Sequence, residues 1–274
     1  MRNPETDTDE AWRPQVTALL HARGALPGEW LPPALEPVAR SWQRSLSAGL
    51  RPQAPGESAH LSAFELARAT ERQHELITCA RPVMAFLHGQ TRDARSIVVL
   101  ADGGGLLLQA LGDTSFMSRA ASVALQPGAV WHEQHRGTNA IGTALVEQAP
   151  VAIHGGEHFL DCNSFLTCAA APLMGPDGRL VGVLDMSGER GQRVPQAMAL
   201  VRQAAQMIEA SLFTSRHARH WRVHLHPLLA GLGSAAEAVL AVDAQGTVVG
   251  ANANALPLLA LGPQHIGRVP LQQV

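Results

Sequence analysis

Trp131-His132-Glu133-Gln134-His135-Arg136-Gly137-Thr138-Asn139-Ala140-Ile141-Gly142-Thr143-Ala144-Leu145 is the stretch around which this chain is organised. Gly137 punctuates a loop. Thr138 or Asn139 then offers a side-chain oxygen to the free N–H groups of a helix start. Ile141 and Leu145 are four apart and share an apolar face. Gly142 weakens a helix by about 1 kcal/mol against alanine, so a glycine there predicts close backbone approach, to a strand or to a bound molecule. Pro150 ends the helix, Val151–Ile153 is a short strand, and Gly155-Gly156 breaks it. Gly137-x4-Gly142-Thr143 imitates a phosphate-binding loop, but the lysine that reaches the phosphates is missing.

Downstream lies His154-Gly155-Gly156-Glu157-His158-Phe159-Leu160-Asp161-Cys162-Asn163-Ser164-Phe165-Leu166-Thr167-Cys168. Zinc and iron accept imidazole and thiolate ligands. The His-x3-His-x3-Cys-x5-Cys spacing is not a structural zinc pattern, and Cys168 opens a strand, where a thiol acts as a small buried hydrophobe. Pocket or core residues are therefore the preferred reading, with a metal site at His154, His158, Cys162 and Cys168 as the alternative. Thr167–Met174 and Arg179–Ser187 read as a hairpin around Pro176-Asp177-Gly178. Leu180–Met186 is apolar enough for a strand covered on both faces. Asp185 is its one charge, and near a strand end it is expected to be exposed or capping.

Five groups of residues now carry a resemblance. Trp131-x-Glu133, Gly137-Thr-Asn-Ala-Ile-Gly-Thr-Ala-Leu145, Glu157-His158, Cys168-x-Ala-Ala-Pro172 and Gly182-Val-Leu-Asp185-x-Ser187-Gly188 resemble the GAF sensor domain of the acetoin-catabolism regulators, sigma-54-dependent transcriptional activators. The resemblance covers about residues 35–215, and Arg40-Ser41-Trp42-Gln43-Arg44-Ser45-Leu46 resembles the segment that precedes that domain. It implies an α+β fold with a GAF-type antiparallel sheet flanked by helices. It further implies a following PAS domain, an ATPase that contacts sigma-54 polymerase, and a helix-turn-helix. The last two are absent from this chain, so DNA and polymerase would be reached only through them.

Composition bounds the alternatives. The chain has 274 residues, 46% hydrophobic, with a net charge of −2. That is room for one large or two small domains, without the basic footprint of nucleic-acid binding. Tyrosine is absent and aromatics are 4%, too few for a base-stacking platform. Cys79, Cys162 and Cys168 are an odd number with no signal peptide, which suggests reduced thiols in a cytoplasmic protein. No apolar run approaches the ~18–20 residues of a membrane span.

Taken in order, residues 1–34 are Pro-rich and charged: Met1–Asp9 is expected to be disordered and Ala11–Arg23 a short helix, followed by a stiff Pro27/Pro32/Pro33 connector. Residues 35–81 form a helical arm. Val38, Trp42, Leu46 and Leu50 make its first stripe, with Trp42 a core or helix–helix anchor. A second helix, Ser62–His88, has Ser62 and Glu65 in capping-box positions and a kink or split at Pro82. The sensor domain takes 82–215, with a hairpin turning at Asp102–Gly105, a helix over Thr114–Ala124, and a long helix over Pro195–Arg219. Residues 216–230 are a linker whose His217, His220, His224 and His226 are expected to be solvated. Residues 231–274 resemble the opening of a PAS domain, through Ala238–Asp243, Gly246 and Val249–Ala255, and the chain is expected to end inside it.

The expected function is sensing of a small-molecule effector in a cavity between the sheet and the Asn139–Gln148 helix, with output through the Pro195–Arg219 helix. Candidate ligand-binding residues are Phe116, Trp131, Glu133, Asn139, Thr143, His158, Phe159, Cys168 and Met186, a mixed apolar set suited to a small neutral metabolite. For Asn139, capping is the competing role. No cofactor is expected. A homodimer through the helical arm and connector helix is expected. An enzyme built on Glu133, His158 and Cys168 lacks any spacing that enforces it. A protein-interaction module without a small ligand is a further alternative.

Overall fold

A computed structural model describes residues 36–54, 60–91, 95–189 and 196–274. The expectations for Met1–Asp9, Ala11–Arg23, the proline connector and Pro195 lie outside the described residues. The main sheet has five strands: β1 (Ser96–Asp102), β2 (Leu107–Gly112), β3 (Val151–His154), β4 (Leu166–Met174) and β5 (Leu180–Glu189). Their order is β2-β1-β5-β4-β3, every neighbour antiparallel. This is the α+β architecture read from the sequence.

Strand alternation sorts the side chains into two cores. Val98, Leu100, Ala169, Ala171, Leu184 and Met186 face α3 (His74–Gln90) and α7 (Ala197–Arg216). Ile97, Val99, Cys168, Ala170 and Val183 face the other way, toward α1 (Glu36–Ser47), α4 (Thr114–Ala121) and α6 (Ala140–Glu147). Helices on both faces explain the unbroken apolar run of β5.

The Ser62–His88 helix divides, but at Gln73 rather than Pro82. α2 (Ala63–Arg72) starts with the Ser62/Glu65 capping box, and α3 runs straight through Pro82. Thr78 and Pro82 both lie on the exposed side of α3, so the carbonyl that loses its donor is solvated. The α7 stripe of Val201, Ala204, Ala205, Ile208 and Leu212 packs inside the chain's own core. It therefore gives no argument for pairing with a second copy.

A smaller antiparallel sheet follows, β6 (Trp221–Leu225), β7 (Ala238–Val242) and β8 (Val248–Ala251), in the order β6-β7-β8, with α8 (Ala255–Leu258) against it. Residues 221–225, read as linker, are thus an edge strand, with Val223 and Leu225 turned to the apolar side. The histidines are not uniformly solvated. His217 is buried, stacked 5.1 Å from Phe213, with Nδ1 3.2 Å from that of His220. His224 pairs with Glu237 at 3.1 Å. No helix among the described residues is long and apolar enough to cross a membrane.

Candidate functional site

Asn139 caps α6. Its Oδ1 accepts from Gly142 N at 2.8 Å, while Nδ2 donates to Trp131 O and Gly137 O at 3.1 and 2.8 Å. That uses the whole amide, so Asn139 is a structural brace rather than a free ligand contact. Gly142 approaches loop backbone, not a strand or a guest: a Cβ there would sit 2.7 Å from Trp131 O and 2.8 Å from Glu133 N. Gly137, at φ +60°, is equally close to the Phe159 ring. Gly142→Ala is expected to lose about 1–3 kcal/mol in urea denaturation, because overpacking against backbone outweighs the helix-propensity gain of about 1 kcal/mol. An equal or more stable variant would show that the loop yields freely.

The Arg40–Arg44 segment ties α1 to this brace. Ser41 Oγ is 2.5 Å from Glu133 Oε1, 2.8 Å from Thr138 Oγ1 and 3.1 Å from Thr143 Oγ1. Arg44 grips Glu133 at 2.6 and 3.0 Å and reaches Glu147 at 2.8 Å; Arg40 adds a 2.6 Å contact to Glu147. Trp42 is fully buried, donates from Nε1 to Glu157 O at 2.8 Å, and meets Phe159 edge-on at 5.1 Å. Glu133 and Thr143, candidates for ligand contact, are thus occupied by α1. Helix α5 (Glu133–Arg136) brings Arg136 over the Trp131 ring at 4.8 Å, and Trp131 Nε1 donates to Ala124 O at 2.8 Å.

Beneath this layer is a buried polar cluster on the same sheet face. His158 Nε2 is 3.4 Å from Cys168 Sγ, and its Nδ1 is 3.0 Å from Gly155 O. Ser187 Oγ lies 3.0 Å from Cys168 Sγ and 2.7 Å from Asp185 Oδ2. Asp185 is not exposed or capping. It is 1% accessible and mid-strand, because β5 continues to Glu189 and pairs with β1 at Val99 and with β4 at Ala170. Its Oδ1 has no hydrogen-bond partner among the described residues. Burial raises its pKa to about 7, against the Ser187 hydrogen bond, which lowers it. Burial, and then the Asp185 charge, push the Cys168 thiol well up, so this cysteine is a neutral thiol rather than a nucleophile.

The structure therefore gathers His158 and Cys168, with Phe116 and Phe159 in the surrounding core. Met186 points through the opposite face toward α3 and α7, since it is one residue out of phase with Asp185 and Ser187. It is not part of this cluster. Asp185 and Ser187 were missed as site residues, although the lone charge in an apolar strand was the available signal. The metal alternative does not assemble: Cys162 is exposed, its Sγ 3.6 Å from Asn163 Oδ1. Among the described residues no three or more His, Cys, Asp or Glu converge as a metal group. On this face Ile141, Ala144 and Leu145 of α6 share one core with Ile153, Ala170 and Val183. Three of the surface grooves among the described residues, of about 460, 360 and 620 Å³, lie elsewhere, and of the candidates only Glu133 lines one.

Comparison with known proteins follows the same span. The family described as MimR, N-terminal domain, matches residues 21–210. The acetoin catabolism regulatory protein of Cupriavidus necator is 30% identical over 227 residues, 81% of this chain and 34% of that protein. The propane 2-monooxygenase operon transcriptional activator MimR of Mycolicibacterium smegmatis is 31% identical over 179 residues, 65% of this chain and 30% of that protein. The DhaR(N)–DhaL complex of E. coli aligns with a TM-score of 0.63 over 85% of this chain and 80% of that chain, at 18% identity, which shows the fold alone. The chain spans about a third of the length of these curated relatives, which are transcriptional regulators and not enzymes. This chain belongs to the family described as MimR, N-terminal domain.

Proposed function

We propose that this chain is the effector-sensing region of a cytoplasmic sigma-54-dependent activator, a GAF-type sensor followed by the start of a PAS domain, and that its effector is a small neutral metabolite with a hydroxyl or carbonyl group. The observation that carries this reading is the unpartnered Asp185 Oδ1 inside the His158–Cys168–Ser187 cluster. A buried acceptor without a donor costs about 1–3 kcal/mol. A ligand hydroxyl would donate to it, and its short apolar body would lie among Phe116, Phe159 and Cys168. Trp131, Glu133, Asn139 and Thr143 then shape the wall instead of touching the guest.

Enclosure of the cluster makes binding conformational. A guest must part α6 from β4 and β5, and α6 is joined to α1 through Thr143 and Ser41. Ligand affinity therefore differs between the closed arrangement and one in which α1 and α6 have shifted, which is the condition for a signal. A usual coupling is about 1–3 kcal/mol. On the opposite face α7 packs on the same strands and leads to the second sheet, so it carries the change toward an ATPase and a DNA-binding domain beyond this region. Two copies would pair through the exposed face of α2, where Phe64 is 71% accessible.

A thermal-shift screen over small alcohols, diols, ketones, aldehydes and acids tests this. Stabilisation follows RT ln(1 + [L]/Kd), about 2.7 kcal/mol at a hundredfold excess over Kd. A saturable rise with neutral hydroxyl or carbonyl compounds is expected. No saturable shift in those classes, or a response confined to the acids, contradicts the reading.

A further inference from the structure

A second site lies on the far side of the molecule from the Asp185 cluster. Helix α7, the turn between β4 and β5, and the second sheet enclose a groove of about 460 Å³. That is within the ~300–1,000 Å³ typical of small-ligand sites. Met174, Met207 and Phe213 give it an apolar wall. Glu209 lies in that wall and is half-buried. One carboxylate oxygen accepts from Met174 N at 2.7 Å, and the other has no hydrogen bond or ion pair among the described residues. Burial, opposed by the Met174 N–H, raises its pKa to about 7, so a cationic partner would favour its ionised form.

Arg222, on β6, also lines the groove and makes no ion pair among the described residues. The other charged pair there is already matched: Glu237 accepts from Gly233 N at 2.7 Å and meets His224 at 3.1 Å. Of its charged groups the groove leaves open one carboxylate oxygen and one guanidinium, beside a thioether and aromatic surface. We propose that it binds a zwitterion with an apolar body, an apolar α-amino acid, its ammonium on Glu209 and its carboxylate on Arg222. Thioether and ring surfaces suit an aliphatic or aromatic side chain, and Arg is the residue that matches a carboxylate in two-point geometry. Such a ligand would bridge α7 to the second sheet, the segment through which a sensor signal leaves.

Calorimetric titration of this chain with leucine, isoleucine, valine, methionine and phenylalanine, each separately, tests the proposal. At least one is expected to saturate. The half-ligands 3-methylbutylamine and 4-methylpentanoate should each bind about tenfold or more weakly, since a charge-assisted hydrogen bond is lost. Glu209→Gln keeps an acceptor for Met174 N, and Arg222→Gln changes an exposed strand residue, so both should fold. Each is expected to weaken binding about tenfold or more. Asp185→Asn should leave it unchanged, which separates this site from the sensing cluster. Absence of saturation by all five amino acids up to about 10 mM, a weak-affinity limit, overturns the proposal. So does wild-type affinity in either Glu209→Gln or Arg222→Gln.

Discussion

Trp42→Ala is expected to cost about 3–5 kcal/mol of stability, the range for emptying a buried tryptophan site. Trp42 has no exposed surface, meets Phe159 edge-on and donates to Glu157 O. Both contacts reach across more than a hundred residues, so the loss would release α1 as well as open a hole. Trp42→Phe isolates the hydrogen bond: most of the burial stays, the Glu157 carbonyl loses its donor, and about 1–3 kcal/mol should go. Urea denaturation followed by far-ultraviolet circular dichroism measures both. A loss below about 1 kcal/mol for the alanine variant would mean that α1 is a detachable arm rather than part of the core.

Asp185→Asn is expected to change the pH dependence of stability. The ordinary carboxyl pKa of 3.8 is raised to about 7 by burial. Between those values the folded chain holds a proton that the unfolded chain has released. Stability from this group is full below the ordinary pKa and is lost as pH rises toward 7. The whole swing is roughly 4 kcal/mol as an upper figure. Asparagine cannot ionise, so the variant should be more stable than the parent at pH 8 and close to it at pH 4. Glu209, also raised to about 7, contributes a swing of the same sign, which Glu209→Gln removes separately. Denaturation midpoints for the parent and both variants between pH 4 and 8 decide this. A parent whose stability climbs through that range, or an Asp185→Asn variant with the parent's slope, contradicts the buried carboxyl. Gain of stability on removing a site residue is the signature of a group kept for function.

Local chemistry made much of this legible. Asn139 and the Ser62/Glu65 box could be read because caps act over three or four residues, and Gly142 gave away a close approach but not the Trp131–Glu133 backbone it approaches. The β4–β5 hairpin could be read from its turn. What failed was distance in the sequence. Nothing local says that Ser41 and Arg44 close onto Glu133, about ninety residues away, so Glu133 looked free for a ligand. Asp185 was visible as an oddity, but its burial depends on β1 and β4 flanking β5, a matter of sheet order. Met186 failed by parity: one residue's shift along a strand exchanges the faces. Trp221–Leu225 passed for a linker because a short edge strand with a 76% accessible tryptophan shows little periodic contrast.

In the proposed reading an effector reaches the carboxyl of Asp185 under α6. Calorimetric titration of the neutral compound giving the largest thermal shift, into the parent chain and into Asp185→Asn side by side, tests it most directly. At pH 8 the carboxylate only accepts, whereas an asparagine whose oxygen keeps the hydrogen bond from Ser187 puts its Nδ2, a donor, where Oδ1 stood, so affinity at that pH is expected to fall about tenfold or more, with the variant folded and no less stable. Equal affinity in the two proteins would place the effector somewhere other than this cluster.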